Sequence, residues 1–229
     1  MNKNKNIARY IDHAVLKPEM SQEEARKAII DGINYSVKTV CVRPCDIDLA
    51  VNLCKGTQTE VSCVLAFPHG CTISEVKAFE AAQYIQKGVS EIDMVANYGY
   101  IKSKLWDLVL EDIRAVSNVT KKAGVLLKVI FETCTLTVEE IKKTTELCIE
   151  AGADYVKTST GFHSSGASVE AVNAMLQAAD GRIKIKASGG IRDIETARHY
   201  IDLGCERLGV GSSTTPVLVK GEGQSQNTY

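Results

Sequence analysis

Eight short apolar segments alternate with helical segments along the 229 residues, and this alternation predicts an α/β chain folded as a single (β/α)8 TIM barrel over residues 1–229. Two further observations fit a parallel sheet in one domain. The strand segments are apolar almost throughout, as suits strands buried on both faces. No Pro/Ser-rich linker or charge block divides the chain. An open nucleotide-binding sheet usually carries a Gly-x-Gly-x-x-Gly turn after its first strand, and Leu16-Lys17-Pro18 has nothing of that kind.

The elements follow in order. Residues 2–10 read as a short lead-in helix, and Tyr10 to Leu16 as the first strand, with Asp12 inside it. Ser21-x-x-Glu24, Thr72-x-x-Glu75 and Thr137-x-x-Glu140 have capping-box spacing, so each is expected to open a helix. Strands are expected at Thr39–Arg43, Glu60–Phe67, Glu91–Ala96, Val125–Phe131, around Lys157, at Ile183–Ala187 and at Arg207–Val210. Pro44, Trp106, Ser168 and Asp193 mark the other helix starts, and Gly56, Gly88, Gly124, Gly152 and Gly204 mark helix ends. A truncated last helix follows Pro216, and residues 221–229 read as a flexible polar tail, from which Tyr229 could fold back over the rim.

Composition narrows the function. The chain is 45% hydrophobic and 24% charged with a net charge of −1, so no basic excess points to nucleic acid or to an anionic membrane. No apolar run approaches the ~20 residues of a membrane helix. Met1 to Asn6 is polar with no apolar stretch behind it, unlike a secretory leader. Eight cysteines without a Cys-x-x-Cys pair read as reduced thiols of a cytoplasmic protein. The four histidines lack paired metal-ligand spacing and read as surface or loop residues, and Cys41 and Cys45 with a histidine make only a weak zinc alternative.

The stretch that carries the chemistry is Tyr155-Val156-Lys157-Thr158-Ser159-Thr160-Gly161-Phe162. A lysine in a buried strand is paired or neutral, and a neutral amine attacks carbonyls. Taken alone, Lys157 could equally be a strand-end lysine reaching for water. The barrel rule changes that balance, because it gathers polar strand residues at one C-terminal rim. Asp12, Asp93, Lys128, Lys157 and Lys186 then converge, with Lys186 preferred over Lys184 because it lies nearer the rim. Lys157 and Lys186 sit on neighbouring strands, and each positive charge disfavours protonation of the other. Thr160-Gly161, Ser188-Gly189-Gly190 and Gly211-Ser212-Ser213 follow three successive strands, where barrels often bind phosphate. Thr158, Thr160, Gly161, Lys128, Cys41, Gly189, Gly190, Gly211 and Ser212 form the candidate substrate-binding set. Other readings of this pattern are a class I barrel aldolase acting on a different phosphosugar, a barrel that senses sugar phosphates without chemistry, or an isomerase working with an acid/base pair.

In its motifs the chain resembles the deoxyribose-phosphate aldolase family. The resemblance runs from about Ile7 to Ser213 and is carried by Glu91-Ile92-Asp93-Met94-Val95, Lys128-Val129-Ile130-Phe131-Glu132-Thr133, Val156-Lys157-Thr158-Ser159-Thr160-Gly161-Phe162 and Ile185-Lys186-Ala187-Ser188-Gly189-Gly190-Ile191-Arg192. Phe67-Pro68-His69-Gly70 and Trp106-Asp107-Leu108-Val109 are also similar to that family. The resemblance implies a class I lyase without metal or other cofactor. Its small-molecule substrate would be 2-deoxy-D-ribose 5-phosphate, cleaved reversibly to acetaldehyde and D-glyceraldehyde 3-phosphate. It implies Lys157 as the Schiff-base lysine, Lys186 as the lysine that lowers its pKa, Asp93 as the proton-transfer acid and Asp12 as the acid near the second lysine. A homo-oligomer, dimer or tetramer, is a further expectation. The chain departs from the family where two serines are expected after Arg-Ile-Gly-x and Gly211-Ser212 stands instead.

Overall fold

The computed structural model describes residues 6–221. Eight parallel strands close into a barrel: β1 (Ile11–Val15), β2 (Thr39–Val42), β3 (Glu60–Leu65), β4 (Glu91–Val95), β5 (Leu126–Ile130), β6 (Tyr155–Lys157), β7 (Lys184–Ser188) and β8 (Arg207–Gly211). Each strand pairs with its sequence neighbour, and β8 pairs with β1 to close the ring. Nine α-helices are described between and after them: α1 (Gln22–Asn34), α2 (Ile47–Cys54), α3 (Ser74–Gln86), α4 (Tyr98–Lys102), α5 (Trp106–Ala123), α6 (Val138–Ala151), α7 (Val169–Ala179), α8 (Ile194–Leu203) and α9 (Thr215–Lys220). None of the described helices is long and apolar enough to cross a membrane.

Strand alternation divides the side chains into two sets. The outward set, including Ile92, Met94, Val129, Val156 and Leu208, is fully buried against helix residues such as Ile29, Ile113, Val116, Val172 and Met175. The inward set places Asp12, Glu91, Asp93, Lys128, Lys157, Lys186 and Arg207 inside the barrel, each no more than 4% exposed. Barrel interiors of this class are commonly filled with branched aliphatic side chains. Here the main apolar core is the layer between sheet and helices, and the interior is held by charge.

Two capping boxes form as the sequence predicts: Ser21 with Glu24 opens α1, and Thr137 with Glu140 opens α6. The third, at Thr72 and Glu75, does not form. Helix α3 starts at Ser74 with Ile73 as an N-cap that makes no side-chain bond. Tertiary contacts set this start instead. Lys77 is fully buried and bonds Asp112 of α5 at 2.6 Å and the Val95 carbonyl at 3.0 Å, while Ser74 donates to Asp112 at 3.1 Å. The lead-in element is a 3-10 helix at Ile7–Tyr10, capped by Asn6, and the beginning of the expected helix lies outside the described residues. Helix α4, capped by Asn97, was not anticipated, and α9 is as short as expected.

One histidine corrects the sequence reading. His13 lies in β1, fully buried and facing the helices. Its Nε2 donates to the Ala28 carbonyl at 2.9 Å, which leaves Nδ1 to accept from the Thr215 hydroxyl at 2.8 Å. The ring ties α1 and α9 to the first strand in its neutral form. Burial lowers its pKa from 6.5 to about 4. Below pH ~6.5 the unfolded chain therefore binds a proton that the folded chain refuses, and stability falls with pH down to about 4. That difference amounts to about 3 kcal/mol. Urea denaturation of His13→Gln across this window should show a shallower acid decline than the parent protein; equal slopes would refute the assignment.

Candidate active site

The interior charges form one connected network. Asp93 on β4 is its hub: Lys128 donates to Oδ1 at 2.6 Å, and Lys157 and Lys186 donate to Oδ2 at 2.8 and 2.7 Å. Lys186 also bonds Oδ2 of Asp12, whose other oxygen accepts from Arg207 at 2.7 Å and from the Thr39 hydroxyl at 2.9 Å. Glu91 takes both terminal nitrogens of Arg207, at 2.9 and 3.0 Å, and Lys128 at 2.5 Å. The register explains these contacts, since Asp93 stands opposite Lys128, Lys157 opposite Lys186, and Lys186 opposite Arg207.

Four basic side chains meet three carboxyl groups in this space, and they are not equivalent. Burial works against charge on every one of them. Lys128 overcomes it through Asp12, Asp93 and Glu91, and its pKa stands well above the ordinary lysine value. Lys186 is also raised, because Asp12 and Asp93 outweigh its burial. Lys157 is lowered: burial dominates, the positive charge of Lys186 adds to it, and among the described residues Asp93 alone offers it a carboxylate. Burial would raise Asp12 and Asp93, yet the surrounding lysines, with Arg207 on Asp12, hold both well below the usual carboxylate range.

Two different regions adjoin this network. Ala14, Leu16, Cys41, Val64 and Phe67 form a small apolar cluster. Phe67, after β3, meets Phe162, after β6, edge to face with ring centroids 5.2 Å apart. A cavity of 150 Å³ is walled by Gly161 and residues 163–166 after β6, residues 189–192 after β7, and Gly209, Gly211, Ser213 and Thr214 of β8 and its loop. Gly189 and Gly190 both adopt positive φ, at 81° and 77°, as L side chains rarely do. The turn they make carries the preceding loop directly on its backbone, for a Cβ on Gly166 would lie 2.3 Å from the Gly189 carbonyl. Glycine backbone, hydroxyls and Arg192 give this cavity the chemistry of an oxyanion site.

A family model described as DeoC/LacD family aldolase matches residues 7–205. The chain belongs to that family. It is 46% identical over 208 residues to a deoxyribose-phosphate aldolase of Natranaerobius thermophilus, covering 91% of this chain and 94% of the relative. It is also 46% identical over 216 residues to the enzyme of that name from Streptococcus sanguinis, covering 94% and 96%. Among solved structures, the aldolase QR15 superposes with a TM-score of 0.85 at 41% identity, covering 91% of this chain and 92% of that one. A deoxyribose phosphate aldolase from Aeropyrum pernix, described as tetrameric, gives 0.85 at 27% identity, covering 93% and 89%.

The structure brings together Asp12, Asp93, Lys128, Lys157 and Lys186 as the sequence led one to expect, and it reassigns several others. Lys128 is fully buried, with its amine against Asp93, Glu91 and Asp12. Thr158 exchanges hydrogen bonds with the backbone of Ser188, and Thr160 bonds the Glu132 carboxylate, so both hydroxyls brace loops. Ser212 gives its N–H to the Ala14 carbonyl, and Ser213 and Thr214 line the cavity in its place. Gly161, Gly189, Gly190 and Gly211 do line it, and Cys41 lies in the apolar cluster. Lys184 is exposed at the opposite end, beside Glu206 at 3.5 Å. Tyr229 lies outside the described residues. Glu91, Arg207 and Arg192 were missed as site residues, although Glu91 and Asp93 at alternate strand positions must share a face.

The charge balance yields a contrast. Lys157→Met leaves three cations on three carboxylates and should keep the thermal midpoint at or above the parent value. Lys128→Met takes away a cation that Glu91 and Asp93 share, leaving three buried carboxylates to Arg207, Lys186 and Lys157, and should destabilise by about 3–5 kcal/mol. Calorimetry in which both variants lose equal stability would contradict the unequal roles of the two lysines.

Proposed function

We propose that the chain is a class I aldolase that reversibly cleaves 2-deoxy-D-ribose 5-phosphate to acetaldehyde and D-glyceraldehyde 3-phosphate. The observation that carries the reading is the lowered pKa of Lys157 within a ring whose other two lysines are raised. A neutral amine in a closed barrel is what attack on an aldehyde needs.

In this reading the open-chain sugar lies with its phosphate in the glycine-lined cavity and its two-carbon end against Ala14, Cys41 and Val64. Lys157 Nζ adds to C1 and expels water, giving an iminium. Asp93, working through a bound water, takes the C3 hydroxyl proton. The C2–C3 bond breaks, its electron pair enters the iminium to form an enamine, and D-glyceraldehyde 3-phosphate departs. Protonation at C2 and hydrolysis release acetaldehyde and restore the amine. The iminium is the electron sink, so the reading calls on no metal or other cofactor. Lys186 and Asp12 set the field in which the amine stays neutral.

All eight cysteines are free thiols, which supports a reducing, cytoplasmic setting. A homo-oligomer is part of the same proposal. It is supported by the tetrameric Aeropyrum pernix relative and by the exposed Ile73, Val76 and Phe79 at α3 beside Leu105 and Leu108 at the start of α5. Light scattering that returned a monomer would remove it.

Incubation with acetaldehyde and borohydride, followed by peptide mass mapping, should place a reduced ethyl adduct on Lys157. An adduct on another lysine would move the site, and a folded sample with no selective adduct would overturn the reading. Lys186→Leu tests the tuning. Removing that positive charge leaves Asp93 freer to favour the Lys157 ammonium, so the acidic limb of kcat/KM should move up by about one pH unit or more. An unmoved limb would rule out the tuning role.

A further inference from the structure

Two hydroxyls stand between the lysines and the cavity with nothing to bond. Ser159 and Ser188 are both 0% exposed, and neither Oγ has a hydrogen-bond partner among the described residues. Buried hydroxyls are nearly always satisfied, so an orphaned pair beside a cavity marks a place where a ligand supplies the partner.

Their placement follows from the strands. Ser159 comes two residues after Lys157 and Ser188 two after Lys186, so each continues its lysine's face one step nearer the C-terminal rim. The two segments are locked together: Thr158 N–H donates to the Lys186 carbonyl at 3.1 Å, and the Thr158 hydroxyl donates to the Ser188 carbonyl at 3.1 Å while accepting from Ser188 N–H at 3.0 Å. Two cavity-lining glycines place the serines against the cavity. A Cβ on Gly209 would lie 2.2 Å from Ser188 Oγ and 3.3 Å from Lys186 Cε. One on Gly189 would lie 3.8 Å from Ser159 Cβ. The Ser188 hydroxyl and Lys186 Cε thus pack directly on Gly209, a residue of the cavity wall, so only the thickness of that backbone separates them from the cavity.

We propose that Ser159 and Ser188 are specificity-determining residues that bind the substrate hydroxyl next to the phosphate-bearing carbon. The inference rests on the aldolase reading above. A phosphosugar anchored at Lys157 through C1 and in the cavity through its phosphate brings C4 between the two. Its hydroxyl is the one D-glyceraldehyde 3-phosphate carries at C2. Each serine can both donate and accept, so together they satisfy the proton and a lone pair of one alcohol. A site arranged around such a hydroxyl discriminates strongly against an analogue that lacks it.

The test compares two acceptors for acetaldehyde in the synthetic direction: D-glyceraldehyde 3-phosphate and 3-oxopropyl phosphate, the same chain without the hydroxyl. The parent protein should favour the hydroxylated aldehyde by about 100-fold or more in kcat/KM. The double variant Ser159→Ala/Ser188→Ala should bring the ratio to within about tenfold of unity, through loss on the hydroxylated acceptor alone. Borohydride trapping of acetaldehyde, which has no hydroxyl, should be unchanged in the variant and reports that Lys157 is intact. A parent with no preference, or a variant that loses activity equally on both acceptors or keeps the parent ratio, overturns the proposal and leaves the aldolase reading standing. A parent that condenses acetaldehyde with neither phosphate overturns the aldolase reading itself, and this inference with it.

Discussion

The structure depends on one carboxylate. Asp93 accepts from three lysines on three other strands, in a space where any unpaired charge is strongly disfavoured. Its hold on Lys128 and Lys186 is shared with Glu91 and Asp12, and those two acids are joined in turn by Arg207. An interior built this way tolerates little local variation. Each ion is satisfied by groups whose own positions depend on the next, so the arrangement is cooperative rather than a sum of pairs. Lys157 sits at the end of that arrangement with one carboxylate contact among the described residues, and its pKa is lowered where those of Lys128 and Lys186 are raised.

Much of this could be read from the sequence, and the reasons differ by residue. The strands declared themselves because each is a short apolar run between capped helices. Lys157, Lys186, Asp93 and Asp12 were legible because a charged side chain inside such a run has few physical explanations. Glu91 and Arg207 were not, because both sit at strand starts, where a charge ordinarily faces water. Only ring closure and strand stagger turn them inward onto one another. The hydroxyls of Thr158 and Thr160 read as ligand donors, yet the loops claimed them, through Ser188 and Glu132. The start of α3 was misplaced because the buried Lys77–Asp112 pair outweighs a surface capping box.

The barrel holds two chemically different regions. Ala14, Leu16, Cys41 and Val64 form an apolar cluster, while the cavity is lined by glycines, serine and threonine residues, His163, Ile191 and Arg192. A molecule with a small hydrocarbon end and an anionic end has one orientation that satisfies both. The aromatic contact between Phe67 and Phe162 spans loops that follow the third and sixth strands.

The closure of β8 onto β1 also bears on how the protein is made. Asp12 meets Arg207 across 195 positions of sequence and Lys186 across 174. A nascent chain still missing its last strands holds Asp12 and Glu91 without their arginine, so its half-barrel has a reason to stay open and hydrated instead of collapsing early. No contiguous fragment shorter than residues 12–207 contains the complete ring. Synthesis of the last strand therefore delivers together the seam that closes the barrel and the cation that balances its interior, and a truncated product would fail in both respects at once.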